Sequence, residues 1–359
     1  MSKLKIAVIF GGRSGEHEVS LVSAASVIKA LNPAKYEVLE IGISKDGIWY
    51  TGPDCLKSFK AGSVEGLEEV RLGTNPTNHP FDIAFPVLHG PFGEDGTIQG
   101  LFEMLKIPYV GCGVLASAVA MDKLQCKSLW RAAGLPVVDW NGFSRSGWKK
   151  NREMILKMLI KDVGFPCFVK PANMGSSVGI SKVKKEADLC AAIDLAAKFD
   201  RWILVEKGLN VREIECAVLG NDEPVASPAG EVIVGGEFYD FYDKYVNGVS
   251  LTEVPAQLDE ATSDKIREIC VKAYKALDCA GLSRVDCFID KDSGGVYLNE
   301  INTMPGFTSI SMYPKMMAAH GVAYEELVDK LIELGQERFE EKQKNQVVFD
   351  SGSNWFKDN

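Results

Sequence analysis

The 359-residue sequence contains no apolar run long enough to cross a bilayer, which argues against a helical membrane span. It also has no surplus of positive charge. Its net charge of −9 gives no general attraction to nucleic acid or to an anionic membrane, so a polyanionic ligand must meet locally concentrated cations. The nine cysteines include no C-x-x-C pair, and the four histidines offer no zinc spacing. Odd in number and mostly within apolar runs, these thiols read as reduced core residues of a cytoplasmic protein. A signal-peptide pattern is missing as well, since Lys3-Leu4-Lys5 leads straight into a short strand. Two phosphate-binding signatures also fail. Gly11, Gly12 and Gly15, after the strand Lys5–Phe10, do not spell G-x-G-x-x-G, and the glycines from Gly175 onward do not spell Walker A. Without repeats or low-complexity segments, the length predicts two or three globular domains.

What is present is concentrated in Ser283–Tyr313. Two apolar runs, Val285–Ile289 and Val296–Ile301, flank the turn-rich Asp290–Gly295 and predict a β-hairpin. Strand alternation puts Arg284, Asp286 and Phe288 on one face, and Leu298, Glu300 and Asn302 on the matching face of the second strand. Pairing about Ser293 then sets Asp286 opposite Glu300 and Arg284 opposite Asn302. Two acids and an amide form an all-oxygen set suited to a hard cation such as Mg²⁺. The same residues also describe a solvated strand face. The continuation TMPGFTSIS favours a site, because a Pro-Gly turn running into hydroxyls can hold an oxyanion or a carboxylate.

The string NEINTMPGFTSISMYPKM, with RVD upstream, closely resembles the C-terminal part of D-alanine–D-alanine ligases, which are ATP-grasp carboxylate–amine ligases. HG-x-x-GEDG after the strand Asp82–Val87 and VKPANMGSSVG after Phe165 resemble the same family, and the likeness spans residues 4–340. It implies an α/β (α+β) ATP-grasp fold: an N-terminal open α/β domain (1–122), a small central lid domain (123–212) and a larger C-terminal domain (213–345). Residues 346–359 read as a mobile tail.

The resemblance also implies roles. Glu16, in the loop before the helical pattern Val19, Val22, Ser23, Ser26, Val27 and Ala30, pairs with the ammonium of the first substrate, and His89 contacts the same molecule. On its own, Glu16 reads as an acid in a helix first turn, and Glu94 and Asp95 read as turn formers. Lys123, Lys170, Ser176 and Ser177 approach the ATP phosphates under a Gly/Ser lid. Glu206, Lys207, Leu209, Glu213, Tyr239 and Asn299 line the rest of the nucleotide site; Glu215 competes with Glu213 for the ribose and also fits a surface strand. The aromatic, acidic segment Gly235–Gly248 resembles an omega loop. Within it Lys244 reaches the γ-phosphate, and Tyr245 completes a hydrogen-bonded set with Glu16 and Ser176. Tyrosine rather than histidine there favours an amine over D-lactate as acceptor.

The implied cofactor is Mg²⁺ or Mn²⁺, as two ions, on Asp286, Glu300 and Asn302, with ATP as co-substrate. Two D-alanines are the remaining partners, and a homodimer is implied. The second D-alanine is held by Ser311 and Met312, while Arg284 and the Gly306 N–H stabilise the tetrahedral oxyanion. Two alternatives stay open: a ligase using D-serine or D-lactate, and a catalytically silent nucleotide-binding relative. The D-configuration itself rests on the resemblance alone.

Overall fold

A computed structural model describes residues 3–71, 79–175, 178–233 and 251–348. The apolar run at the N-terminus forms β1 (Leu4–Gly11), buried from Ile6 onward. It is followed by α1 (His17–Ala30), β2 (Tyr36–Ile43), β3 (Trp49–Thr51), α2 (Cys55–Lys60), β4 (Glu68–Glu69) and β5 (Ile83–Pro86). These strands make a sheet of order β4-β3-β2-β1-β5, in which β1 runs parallel to both β2 and β5. Such a sheet presents its ligand-facing loops at the carboxyl ends of its strands. The loop before α1 and the loop after β5, with α3 (Thr97–Met104) and α4 (Val114–Met121) beyond, both start there. On α1 the buried face carries Ser20, Leu21, Ser23, Ala24 and Val27, whereas Val22 is 53% exposed. The apolar spacing read from sequence is therefore rotated, because small and hydroxyl side chains let the helix sit close to the sheet.

The second sheet follows α5 (Lys123–Ala132), whose N-cap Asp122 accepts bonds from the Leu124 and Gln125 N–H groups. Its elements are β6 (Trp140–Ser144), α6 (Arg145–Lys150), α7 (Arg152–Asp162), β7 (Cys167–Pro171), β8 (Ser181–Val183), α8 (Glu186–Phe199) and β9 (Trp202–Lys207). The order is β6-β9-β7-β8, antiparallel throughout.

The third sheet has order β13-β12-β10-β14-β15, with β11 beside β10. It comprises β10 (Val211–Leu219), β11 (Val225–Ala226), β12 (Gly230–Ile233), β13 (Leu251–Glu253), β14 (Leu282–Asp290) and β15 (Val296–Asn302). Helix α9 (Glu260–Ala276) covers one face with Ile266, Ile269, Cys270, Ala273 and Tyr274. Each large aliphatic or aromatic side chain of this kind contributes about 1.5–3 kcal/mol when fully buried. Two last helices, α10 (Met312–Ala319) and α11 (Tyr324–Gln343), return to the first sheet, so Met317, Leu327 and Leu331 share a core with Val8 and Phe85.

The β14–β15 hairpin forms with Asp286 opposite Glu300 and Arg284 opposite Asn302, as the symmetric pairing predicts. Beyond Asp286 the register shifts, and Cys287 faces Leu298 with Asn299 as the extra residue. This β-bulge corrects the face assignment. Leu298 does not share a face with Glu300 and Asn302; it is fully buried in the core under α9, and Tyr297 takes the matching face. One inserted residue reverses strand parity, which a period-two reading cannot anticipate.

Candidate active site

Three adjacent strands carry a row of acids across the open face of the third sheet. Glu215 on β10 pairs with Asp286 on β14, which pairs with Glu300 on β15. Arg284 lies one step along β14 and grips both Asp286 oxygens, Nε at 2.7 Å and Nη2 at 2.6 Å. Its Nε is also 3.2 Å from Glu215. Burial works against the Arg284 charge, but Asp286 and then Glu215 outweigh it and hold the guanidinium above its ordinary value. Asn302 Nδ2 donates to Asp286 at 3.1 Å.

Two cavities meet at this row. The smaller, about 580 Å³, is lined by Glu16, His89, Glu94, Gly306, Ser311 and Met312. The larger, about 840 Å³, is lined by Lys170, Glu206, Lys207, Leu209, Glu213 and Asn299. Lys123, Gly175, Glu215, Arg284 and Glu300 line both and form their common wall. Lys123, the first residue of α5, donates to the Met174 carbonyl at 2.9 Å and lies 3.5 Å from Glu300. It thus ties the Gly/Ser loop to the acidic row.

Lys170, near the end of β7, is 2.5 Å from Glu206 on β9, and Lys127 reaches the other Glu206 oxygen at 3.1 Å. Burial pushes the Glu206 carboxyl up, but Lys127 and Lys170 together pull it down to about 2. Glu206 lines the larger cavity as expected, yet its carboxylate is engaged by lysines.

His89 lines the smaller cavity, but both of its ring nitrogens are taken by the protein. Nδ1 is 2.9 Å from the Met304 carbonyl, which can only accept, so Nδ1 carries the proton and Nε2 accepts from the Ser23 hydroxyl at 3.0 Å. Burial holds the ring below its ordinary value despite Glu16 nearby. The His89 ring thus also ties the loop after β5 to the turn at Met304, while lining the cavity in which a substrate contact is expected. Glu94, a turn former by sequence alone, bridges two segments. Its two oxygens accept from Gly90 N–H at 2.7 Å and Met304 N–H at 3.2 Å. Burial, then Glu16, pushes its carboxyl up to about 8. Inside GEDG it looks like one more turn acid, and no local signal separates it from Asp95, which does bond its own loop at Phe92 and Thr97.

Gly90 has φ +74°, and a Cβ there would lie 2.7 Å from Ser14 Oγ and 2.8 Å from Glu16 Oε2, so only glycine lets Glu16 fold over this loop. Gly306 lies against Ser311, whose Oγ accepts from Thr308 N–H at 3.1 Å. Ser311 precedes Met312 at the N-terminus of α10, an arrangement that favours an anion. Ser176, Ser177, Tyr239, Lys244 and Tyr245, with the rest of the segment 235–248, lie outside the described residues.

Asp286, Glu300 and Asn302 fit a hard cation in kind: two carboxylates on facing strand positions and one amide in the next row. Among the described residues no three His, Cys, Asp or Glu side chains converge on one point.

Comparison with known proteins supplies the context. Family models described as the D-ala D-ala ligase N-terminus and C-terminus match residues 5–112 and 129–333. A D-alanine–D-alanine ligase of Heliobacterium modesticaldum is 50% identical over 96% of this chain and 98% of its own length. One from Ruminiclostridium cellulolyticum is 50% identical over 95% and 97%. Among solved structures, the D-alanine–D-alanine ligase of Coxiella burnetii has a TM-score of 0.84 at 37% identity, covering 96% of this chain and 97% of that one. The VanG D-Ala:D-Ser ligase of Enterococcus faecalis has a TM-score of 0.84 at 39% identity, covering 93% and 100%. With its three sheets arranged in the ATP-grasp fold of these enzymes, the chain belongs to the D-alanine–D-alanine ligase family.

Proposed function

We propose that this enzyme joins two D-alanines into D-alanyl-D-alanine, a precursor of bacterial peptidoglycan, using ATP and passing through D-alanyl phosphate. The observation that carries the reading is the common wall. Lys123 and Arg284 stand where the larger cavity, with its lysines, opens into the smaller one, with its carboxylate- and ammonium-binding groups. Adjoining cavities with shared lining residues support transfer of a phosphoryl group from a nucleotide in one to a carboxylate in the other.

In this reading ATP occupies the larger cavity. Lys123 and Lys170 offset charge on its phosphates, Glu213 faces the ribose, and Lys207 and Leu209 line the base slot. Glu215 is better explained as the partner of Arg284. Asp286, Glu300 and Asn302 would hold Mg²⁺ or Mn²⁺, whose positive charge assists phosphoryl transfer when bound. Glu16 pairs with the ammonium of the first D-alanine, whose carboxylate attacks the γ-phosphorus and releases ADP. Ser311 and the α10 N-terminus hold the carboxylate of the second D-alanine. Its deprotonated amine attacks the acyl phosphate carbonyl, Arg284 and the Gly306 N–H stabilise the oxyanion, and phosphate leaves. As the resemblance implies, Ser176, Ser177 and Lys244 approach the phosphates, Tyr239 lines the nucleotide site, and Tyr245 completes the hydrogen-bonded set with Glu16 and Ser176.

The division at residues 122 and 212 belongs to the same reading and is supported by the three sheets lying in successive stretches of chain. So do a homodimer, checked by sedimentation velocity, and a cytoplasmic location. All nine cysteines are unpaired, which accords with a reducing compartment. The deciding experiment is phosphate release from Mg-ATP with D-alanine, L-alanine, or D-alanine plus D-serine or D-lactate, with products identified by mass. Release confined to D-alanine and yielding its dipeptide is expected. A mixed product would move the acceptor assignment, and ATP binding without any turnover would sink the catalytic reading.

A further inference from the structure

Among the described residues Lys127 is the most deeply buried lysine at the site, and it is absent from the cavity surface. Its side chain is 1% exposed, Glu206 is 2% exposed and Lys170 9%. It lies one helical turn after Lys123, on the same face of α5, and its acidic partner among the described residues is Glu206. Lys170 and Glu206 line the larger cavity whereas Lys127 stands behind them, so a ligand there meets Lys170 and cannot touch Lys127.

The charges in this triad do not balance pairwise. One carboxylate serves two ammonium groups. With Lys170 as the sole partner, drawing its ammonium toward a ligand phosphate would leave a buried carboxylate uncompensated, a severe penalty at low dielectric. Lys127 removes that penalty, since Glu206 keeps an ion pair at 3.1 Å whichever way Lys170 turns. Lys170 already sits at the cavity edge, beside the Phe168 ring at 5.7 Å.

We propose that Lys127 is a positioning residue for nucleotide binding: a fixed counter-ion that keeps Glu206 satisfied, so that Lys170 is free to leave it for a phosphate. The proposal rests on the reading that the larger cavity holds ATP. It predicts that losing Lys127 locks Lys170 onto Glu206, and that removing the acid unlocks it again.

The test is titration of the full-length protein with a non-hydrolysable ATP analogue and Mg²⁺, using wild type, Lys127→Met, Lys127→Arg, Glu206→Gln and the double variant Lys127→Met/Glu206→Gln. Lys127→Met is expected to bind the analogue about tenfold or more weakly, with the KM for D-alanine little changed. Lys127→Arg keeps the charge and most of the affinity. In the double variant the neutral amide that replaces the Glu206 carboxylate no longer holds Lys170, and most of the lost affinity returns. Wild-type affinity in Lys127→Met, or a double variant as weak as Lys127→Met, overturns the proposal, because a purely structural role gives no rescue. If Lys127→Met does not fold, the Glu206→Gln background decides: adding Lys127→Met there should change affinity by less than about threefold, and a further loss of about tenfold overturns the idea. Wild-type protein that fails to bind the analogue at all would instead remove the ATP reading, and this proposal with it.

Discussion

His89 and Met304 are 215 residues apart in the chain and are joined by a 2.9 Å hydrogen bond from the imidazole Nδ1–H to the main-chain carbonyl. Met304 is held from the other side too, its N–H donating to Glu94 at 3.2 Å. Both side chains come from the loop after β5, so the first-substrate loop and the turn carrying Gly306 are positioned together. His89→Ala should therefore lower kcat by about 10²-fold through displacement of the reacting groups, with KM for ATP near wild type. Steady-state kinetics in both substrates checks this. An unchanged kcat would show that the loop stays in place without the imidazole.

Glu94 links the same region to pH. Its carboxyl is raised to about 8 in the fold, from 4.5 in the unfolded chain, chiefly by burial and then by Glu16. Between those values the native protein holds a proton that the unfolded chain has lost. This group's contribution to stability is thus greatest below pH 4.5, falls as pH rises toward 8 and levels off above. Glu94→Gln keeps a neutral side chain and should flatten this part of the Tm-versus-pH curve across about pH 5–8. A slope equal to that of wild type would assign the pH dependence to other groups.

Arg284 is held by two acids, so its replacement tests geometry as well as charge. Arg284→Lys keeps the charge but cannot grip both Asp286 oxygens. Turnover should fall on the order of 10²-fold, comparable to the loss of one oxyanion donor, while analogue binding in the larger cavity falls much less. Near-normal turnover would remove Arg284 from the oxyanion.

The bulge at Asn299 gives a fourth prediction. Deleting Asn299 leaves Leu298, Glu300, Ile301 and Asn302 in strict alternation, so the hairpin should still fold with Tm within about 4–8 °C of wild type, the shift expected for a change near 1 kcal/mol in a small domain. Nucleotide affinity should nonetheless drop about tenfold, because the bulge bends β15 beside the acidic row. Wild-type affinity in the deletion variant would make the bulge irrelevant to the site.

Much of this arrangement is legible in the sequence because its signals are local. The apolar runs of β1, β14 and α9 carry their own period, and the turn-rich segment between two apolar runs marks the hairpin, whereas the pairing of Asp286 with Glu300 also needs the bulge, since the register beside the turn would set Asp286 opposite Asn299. The illegible parts depend on distant chain segments. Glu94 differs from Asp95 only through Met304, and Lys127 looks like an ordinary helix lysine until β9 brings Glu206 against it. The bulge is hidden because one residue too many leaves no compositional trace. Family likeness supplied the roles of Glu16 and Lys123, which sequence periodicity alone leaves as a first-turn acid and a helix-end cation.

The core shared by β1, β5, α10 and α11 has a consequence for synthesis. A ribosome releases Ile6, Val8 and Phe85 long before Met317, Leu327 and Leu331 exist, so the first sheet emerges with this apolar face covered only in part, by α1 and α2. That face waits for the last two helices, and its closure is among the longest-range contacts in the molecule. Nascent chains halted before residue 312 should therefore be the ones that chaperones retain, and release should coincide with emergence of α11.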